Sequence, residues 1–174
     1  MRIWTVAILL PLTISAALAQ GWQEYRYPDL GFSVSFPGEP KITDGTAKAS
    51  DGAAVTEKVF SFSGDRGDFR VTVTDYSNSS IADDAAISQA ADKLRGTGDV
   101  LVDVSARVNR NYGRELSVSA KDGNRLVAAV FFVDRKLYVL EGRVRADTPD
   151  ATRFQQSLNF LGGFGGFGRR GFRF

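Results

Sequence analysis

Between Phe32 and Val144 apolar side chains return at every second position, run after run, and this period of two dictates a fold built from half-buried strands. Phe32, Val34 and Phe36 alternate with Ser33 and Ser35. Pro37-Gly38-Glu39-Pro40 closes that run, because proline cannot donate to a strand ladder. Residues 41–53, rich in Lys, Thr, Ala, Asp and Gly, are predicted to be an exposed loop. A second strand is expected over 54–62. After Gly64-Asp65-Arg66-Gly67-Asp68 comes a third, with Phe69, Val71 and Val73 set against Arg70, Thr72 and Thr74. Four more follow in close order. Val100, Val102, Val104, Ala106 and Val108 are assigned to one face, and Asp103, Ser105 and Arg107 to the other. Tyr112, Leu116, Val118 and Ala120 repeat the alternation against Glu115, Ser117 and Ser119, and Asp122-Gly123 marks a tight hairpin. Residues 126–133 are apolar throughout, which predicts a central strand covered on both faces. Residues 137–144 supply the last.

The period changes twice. Asp83 and Asp84 suit a helix N-terminus, Ile87, Ala91 and Leu94 follow on one face, and Gly96 is a natural stop, so a helix is expected over 83–95. Thr148-Pro149-Asp150 reads as a second start, with Thr as the cap, and Phe154, Leu158 and Leu161 on one face. Strands joined by short turns must be antiparallel. The sequence therefore predicts an α+β domain, a single antiparallel β-sheet with about two helices packed on it.

Three segments, GFSVSFPGEPKI, YGRELSVSAKDGNRLVAAVFFVDRKLYVLEGRV and RFQQSLNF, resemble a group of uncharacterised exported bacterial proteins. That group has a matching opening, a Gly-Arg-Glu strand, a paired aromatic hairpin and a closing Arg-Phe-x-x-Ser helix. More remotely the layout is similar to the PsbP-like superfamily, which includes the nuclear import factor Mog. The resemblance covers residues 31–160 and implies an antiparallel sheet between helices. The matching positions are core and turn residues, so it implies a fold and no chemistry.

Residues 1–19 and 162–174 have no place in that pattern. At the start, Arg2 precedes an apolar stretch ending in Ala17-Leu18-Ala19, the small-x-small signature of a signal peptide. Cleavage is expected between Ala19 and Gln20. An uncleaved anchor is the competing reading, but Pro11, Thr13 and Ser15 break the apolar run short of the roughly 20 residues a spanning helix needs. The mature chain is thus expected to be periplasmic or secreted, with no transmembrane span and with a domain over 20–161. The end, GGFGGFGRRGFRF, holds six Gly and is read as a disordered tail. Phe164, Phe167, Phe172 and Phe174 are spaced along it as separate stickers, with Arg169, Arg170 and Arg173 as charges. The mixture resembles segments that bind nucleic acid by stacking, yet export favours an envelope protein or an anionic envelope surface. Setting aside Arg2 and the three tail arginines leaves 18 basic against 20 acidic residues, so the body is slightly acidic.

The chain of 174 residues has no His and no Cys, which removes disulfides, imidazole and thiolate metal sites, Cys nucleophiles and His-based triads. No cofactor is expected. A hydrolase would have to rely on paired carboxylates. Arg66-Gly67-Asp68 spells an adhesive tripeptide but is also what an ordinary hairpin turn looks like. The polar positions of the sheet, above all Arg70, Asp103, Arg107 and Glu115, form either a candidate binding face or a plain solvated face. Three functions follow in order of preference: a non-enzymatic exported binding domain, a carrier of a small polar ligand on the sheet, and a carboxylate-based hydrolase.

Overall fold

The computed structural model describes residues 21–146 and 148–161. The expected cleavage site and the expected tail lie outside the described residues. Strand β1 (Gln23–Tyr27) leads through a short 3-10 turn, Pro28–Leu30, into β2 (Phe32–Phe36). Then come β3 (Lys41–Lys48), β4 (Ala54–Gly64), β5 (Gly67–Asp75) and helix α1 (Asp83–Arg95). A four-strand meander follows: β6 (Gly98–Val108), β7 (Asn111–Ala120), β8 (Asn124–Val133) and β9 (Lys136–Arg145). Helix α2 (Asp150–Gln156) and the short β10 (Asn159–Phe160) close the described chain.

The expected single sheet is wrong. The strands form two antiparallel sheets, a small one in the order β1-β2-β10 and a large one in the order β3-β4-β5-β9-β8-β7-β6. The large sheet is two meanders joined where β5 pairs with β9, Val71 opposite Leu140. One of its faces packs on the small sheet and α2, the other on α1. Strand β8 lies between these layers and serves both. Val127, Ala129 and Phe131 enter the core under the small sheet, while Leu126, Ala128, Val130 and Phe132 enter the core under α1. Burial on both faces removes any need for polar alternation, which is why this strand reads as one apolar run.

Several local expectations also change. Residues 41–48 are strand β3, not loop, paired with β4 from Lys41–Ser61 to Lys48–Ala54. It is an edge strand exposed along most of its length, so no core demands alternating apolar residues there. Helix α1 has the predicted bounds with Ala82 as its cap residue, and of the two aspartates Asp84 reaches the first turn, accepting the Ala85 amide at 2.8 Å. Its buried face is Ala86, Ala90, Ala91 and Leu94, and Ile87 is only half-buried. Pro149, not Thr148, caps α2. That helix stops before Leu158 because the Ser157 hydroxyl donates to the Phe154 carbonyl and accepts the Ser35 amide, after which the chain pairs with β2.

The two-residue turn between β8 and β9 has positive φ at both Asp134 (49°) and Arg135 (61°), the hairpin geometry that matches strand twist. A non-glycine residue in this region is strained, and Arg135 is held there by what it binds. Its guanidinium donates to the carbonyls of Ile81 (3.0 Å), Tyr76 (3.1 Å) and Ser79 (2.6 Å). Its own carbonyl accepts the Tyr76 amide at 2.8 Å. One side chain thereby fixes the whole crossing from β5 to α1.

Candidate functional site

Arg70, Asp103, Arg107 and Glu115 do not converge. Cross-strand register puts Arg70 opposite Glu141 and Asp103 opposite Leu116, both on the face that carries α1. Glu115 stands opposite Ala129, on the face beneath the small sheet. Strands β5 and β6 are separated by three others, about 19 Å at the usual strand spacing. Helix α1 packs on the strands between them.

Asp103 is occupied within the fold. Its carboxylate accepts Nε (2.9 Å) and Nη2 (2.6 Å) of Arg114 and Nε of Arg95 (2.7 Å), tying β6 to β7 and to the last residue of α1. Burial alone would raise this carboxyl, and the two guanidinium groups hold it below the ordinary carboxylate range. Arg107 lies 5.1 Å from the Tyr112 ring centre at the β6–β7 edge. Arg70 faces a shallow depression of about 360 Å³ together with Ser61, Glu141 and Arg143. Glu141 also borders a second groove of about 260 Å³ between α1 and the sheet, where Glu57, Thr72, Thr74 and Lys93 meet the apolar side of the helix. These two hollows are the polar part of the sheet face that α1 leaves uncovered.

Among the described residues, the carboxyls displaced from their ordinary range are displaced downward. Asp51 is lowered chiefly by the Ala53 amide, Asp75 by the Ser77 hydroxyl and Asp122 by the Asn124 amide. Such groups are anions that order turns, whereas a general acid needs a carboxyl pushed upward. Among the described residues no group of three carboxylates is placed to hold a metal ion. Asp65 and Arg66 form the β4–β5 turn and Gly67 and Asp68 begin β5, with Arg66 3.7 Å from Asp150 of α2. Gly67 has φ +127°, and a Cβ there would sit 2.5 Å from the Arg143 carbonyl oxygen, so backbone geometry accounts for this glycine.

Sequence reasoning missed the most unusual surface. Val100, Val102 and Val104, assigned to one face, are exposed, and Leu101 between the first two is 59% exposed. The register slips between Val100 and Val102, so Val100 falls on the α1 face, opposite Val118, and Val102 on the other, opposite Ser117. Strand β6 ends the large sheet, with β7 as its one neighbour among the described strands. Together with Tyr112, at 68%, these side chains are five of the six large apolar residues exposed among those described, the sixth being Ile42 on the opposite edge. The unbroken Val100-Leu101-Val102 was the one signal of it, since three consecutive apolar residues cannot share a face of a regular strand.

Fold and surface together define a layered α+β domain with one apolar edge. No protein-family model matches the chain, and no curated protein matches it. Among solved structures it is similar to cyanobacterial PsbP (CyanoP) from Synechocystis sp. PCC 6803, at 11% sequence identity and a TM-score of 0.49, over 84% of this chain and 95% of that one. A likeness at this level carries nothing about ligand or partner.

Proposed function

We propose that the chain is a non-enzymatic exported domain that binds a protein partner of the cell envelope through the β6–β7 edge, with residues 162–174 adding contacts. The observation that carries this reading is the concentration of exposed apolar side chains on one edge hairpin, Val100, Leu101, Val102, Val104 and Tyr112. Apolar surface gathered on an open strand edge is what a binding partner covers and what a solitary domain avoids. Export is supported by the sequence MRIWTVAILLPLTISAALAQ, and membership of the exported bacterial group by the segments quoted above. No helix among the described residues is long and apolar enough to cross a membrane. The test places a photocrosslinker at Val104 and, as control, at Ile42 on the other edge. A partner captured from Val104 alone, and lost when Leu101→Asp is added, supports the reading. Equal capture from both edges, or none, overturns it.

A second reading has its own observation. The groove beside α1 joins the carboxylates of Glu57 and Glu141 and the ammonium of Lys93 to an apolar helix face, a combination that suits a small polar or cationic ligand. Binding there predicts a thermal shift that Glu141→Gln abolishes and Leu101→Asp leaves intact.

A further inference from the structure

The two edges of the large sheet are unlike. Strand β3 carries Lys41, Asp44 and Lys48 along its exposed length, and charges of this kind keep an open edge from pairing. Between Val100 and Ala106, strand β6 carries one charge, Asp103, and that carboxylate is turned to Arg95 and Arg114. The outer row of β6 backbone N–H and C=O groups meets no described strand. From Val102 onward its register with β7 is regular. Val102, Val104, Ala106 and Val108 lie on the face that carries the small sheet, and Asp103, Ser105 and Arg107 on the face that carries α1. Arg107 is exposed and has no ion-pair partner among the described residues.

We propose that two copies of this chain pair antiparallel through β6 about a two-fold axis at Ser105, joining their large sheets edge to edge. Opposite residues of an antiparallel pair share a face, so even-numbered positions of one copy must meet even-numbered positions of the other. Two-fold centres at Asp103, Val104, Ser105 and Ala106 all satisfy this. A centre at Asp103 sets that carboxylate against itself. Centres at Val104 and Ala106 set Asp103 and Arg107 against uncharged residues. The centre at Ser105 sets Asp103 of each copy opposite Arg107 of the other, twice by symmetry. In that register Val104 meets Ala106 and Val102 meets Val108 of the second copy, so the apolar strip continues across the junction. Leu101, at the irregularity, falls opposite Asn109, whose φ is +56°, so pairing stops where β6 stops being regular at either end. The paired stretch, residues 102–108, spans about 24 Å. Strand β6 is thus its own complement in charge and in apolar surface, as an isologous interface requires. This pairing rests on the β6 edge being a contact surface, and it names the protein that meets that edge as a second copy of the chain.

The full mature chain is purified alone and its mass followed by light scattering across a dilution series. Twice the chain mass is expected at the concentrated end. Arg107→Glu is expected to raise the dissociation constant about tenfold or more, because two symmetric attractions to Asp103 become repulsions. Arg107→Ala falls between. The protein has no cysteine, so one introduced thiol reads the register. Ser105→Cys lies on the axis, about 5 Å from its copy at Cβ. Under mild oxidation it is expected to link two chains at least about tenfold faster than Asp99→Cys, whose copies lie about 40 Å apart, or than Ile42→Cys on the β3 edge. A single-chain mass up to about 1 mM overturns the proposal. So does a dimer that Arg107→Glu leaves intact, or one that links through Ile42→Cys and not through Ser105→Cys. The chain is tested alone, so a monomer here leaves capture of a different protein from Val104 standing. A dimer here with no different protein captured there upholds this pairing alone.

Discussion

Asp103 of β6 joins Arg95, the last residue of α1, at 2.7 Å and Arg114 of β7 at 2.6 Å, so one carboxylate docks the helix and pins the edge strand. A residue that the alternation marks as outward and available is spent on internal attachment. Asp103→Asn leaves the partly buried Arg114 guanidinium without its anion and Arg95 with Asp92 alone, and is expected to cost about 1–2 kcal/mol in urea unfolding.

The same pair sets a pH dependence. The Asp103 carboxyl is lower in the folded chain than in the unfolded one, so its contribution is complete above the ordinary carboxylate range, near ~4. It is lost as the pH falls through the folded value. Stability of the parent is expected to drop more steeply in acid than that of Asp103→Asn, and the gap between the two curves is expected to close at low pH. A constant gap would place the effect of the substitution elsewhere.

Arg135→Ala is expected to release the crossing over residues 76–82. Three backbone carbonyls lose their donor, at roughly 2–3 kcal/mol in total. Amide hydrogen exchange should rise in α1 before it rises in β8, because α1 hangs on that crossing and β8 is covered on both faces.

Two turn glycines separate strain from crowding. Gly123 has φ +81° with open space around its Cβ position, so Gly123→Ala is expected to cost only about 1 kcal/mol. Gly67 combines positive φ with a clash against the Arg143 backbone, so Gly67→Ala is expected to cost several-fold more. Thermal unfolding of the two variants side by side checks the order.

Expression with export in a bacterial host is expected to yield a mature chain whose N-terminal sequence begins at Gln20, with Ala19 the last residue removed. Edman sequencing or intact mass reads this directly, and a retained Met1 would refute cleavage.

Strands β2, β4, β5, β7, β8 and β9 were legible because each has at least one buried face, and burial writes itself as alternation or, in β8, as a continuous apolar run. Strand β3 was not, since an edge exposed on most positions is free to be polar. Strands β1 and β10 went unread for a related reason. Five and two residues long, they hold too few positions to establish a period, and the pairing of β10 with β2 joins chain segments more than a hundred residues apart.

The candidate surfaces show the same division. Which residues of the large sheet are apolar and which polar was plain from the sequence. Whether an apolar residue is core depends on what lies over it, and Val104 is 49% exposed while Val118, also on an alternating strand, lies buried under α1. Sequence by itself determined seven of the ten described strands, both helices, the turn chemistry and the absence of imidazole and thiol chemistry, because these depend on residue type and on neighbours along the chain. Tertiary structure alone decided the split into two sheets, the exposure of β6 and the dispersal of Arg70, Asp103, Arg107 and Glu115, because each follows from which distant strands pair and which face a layer covers.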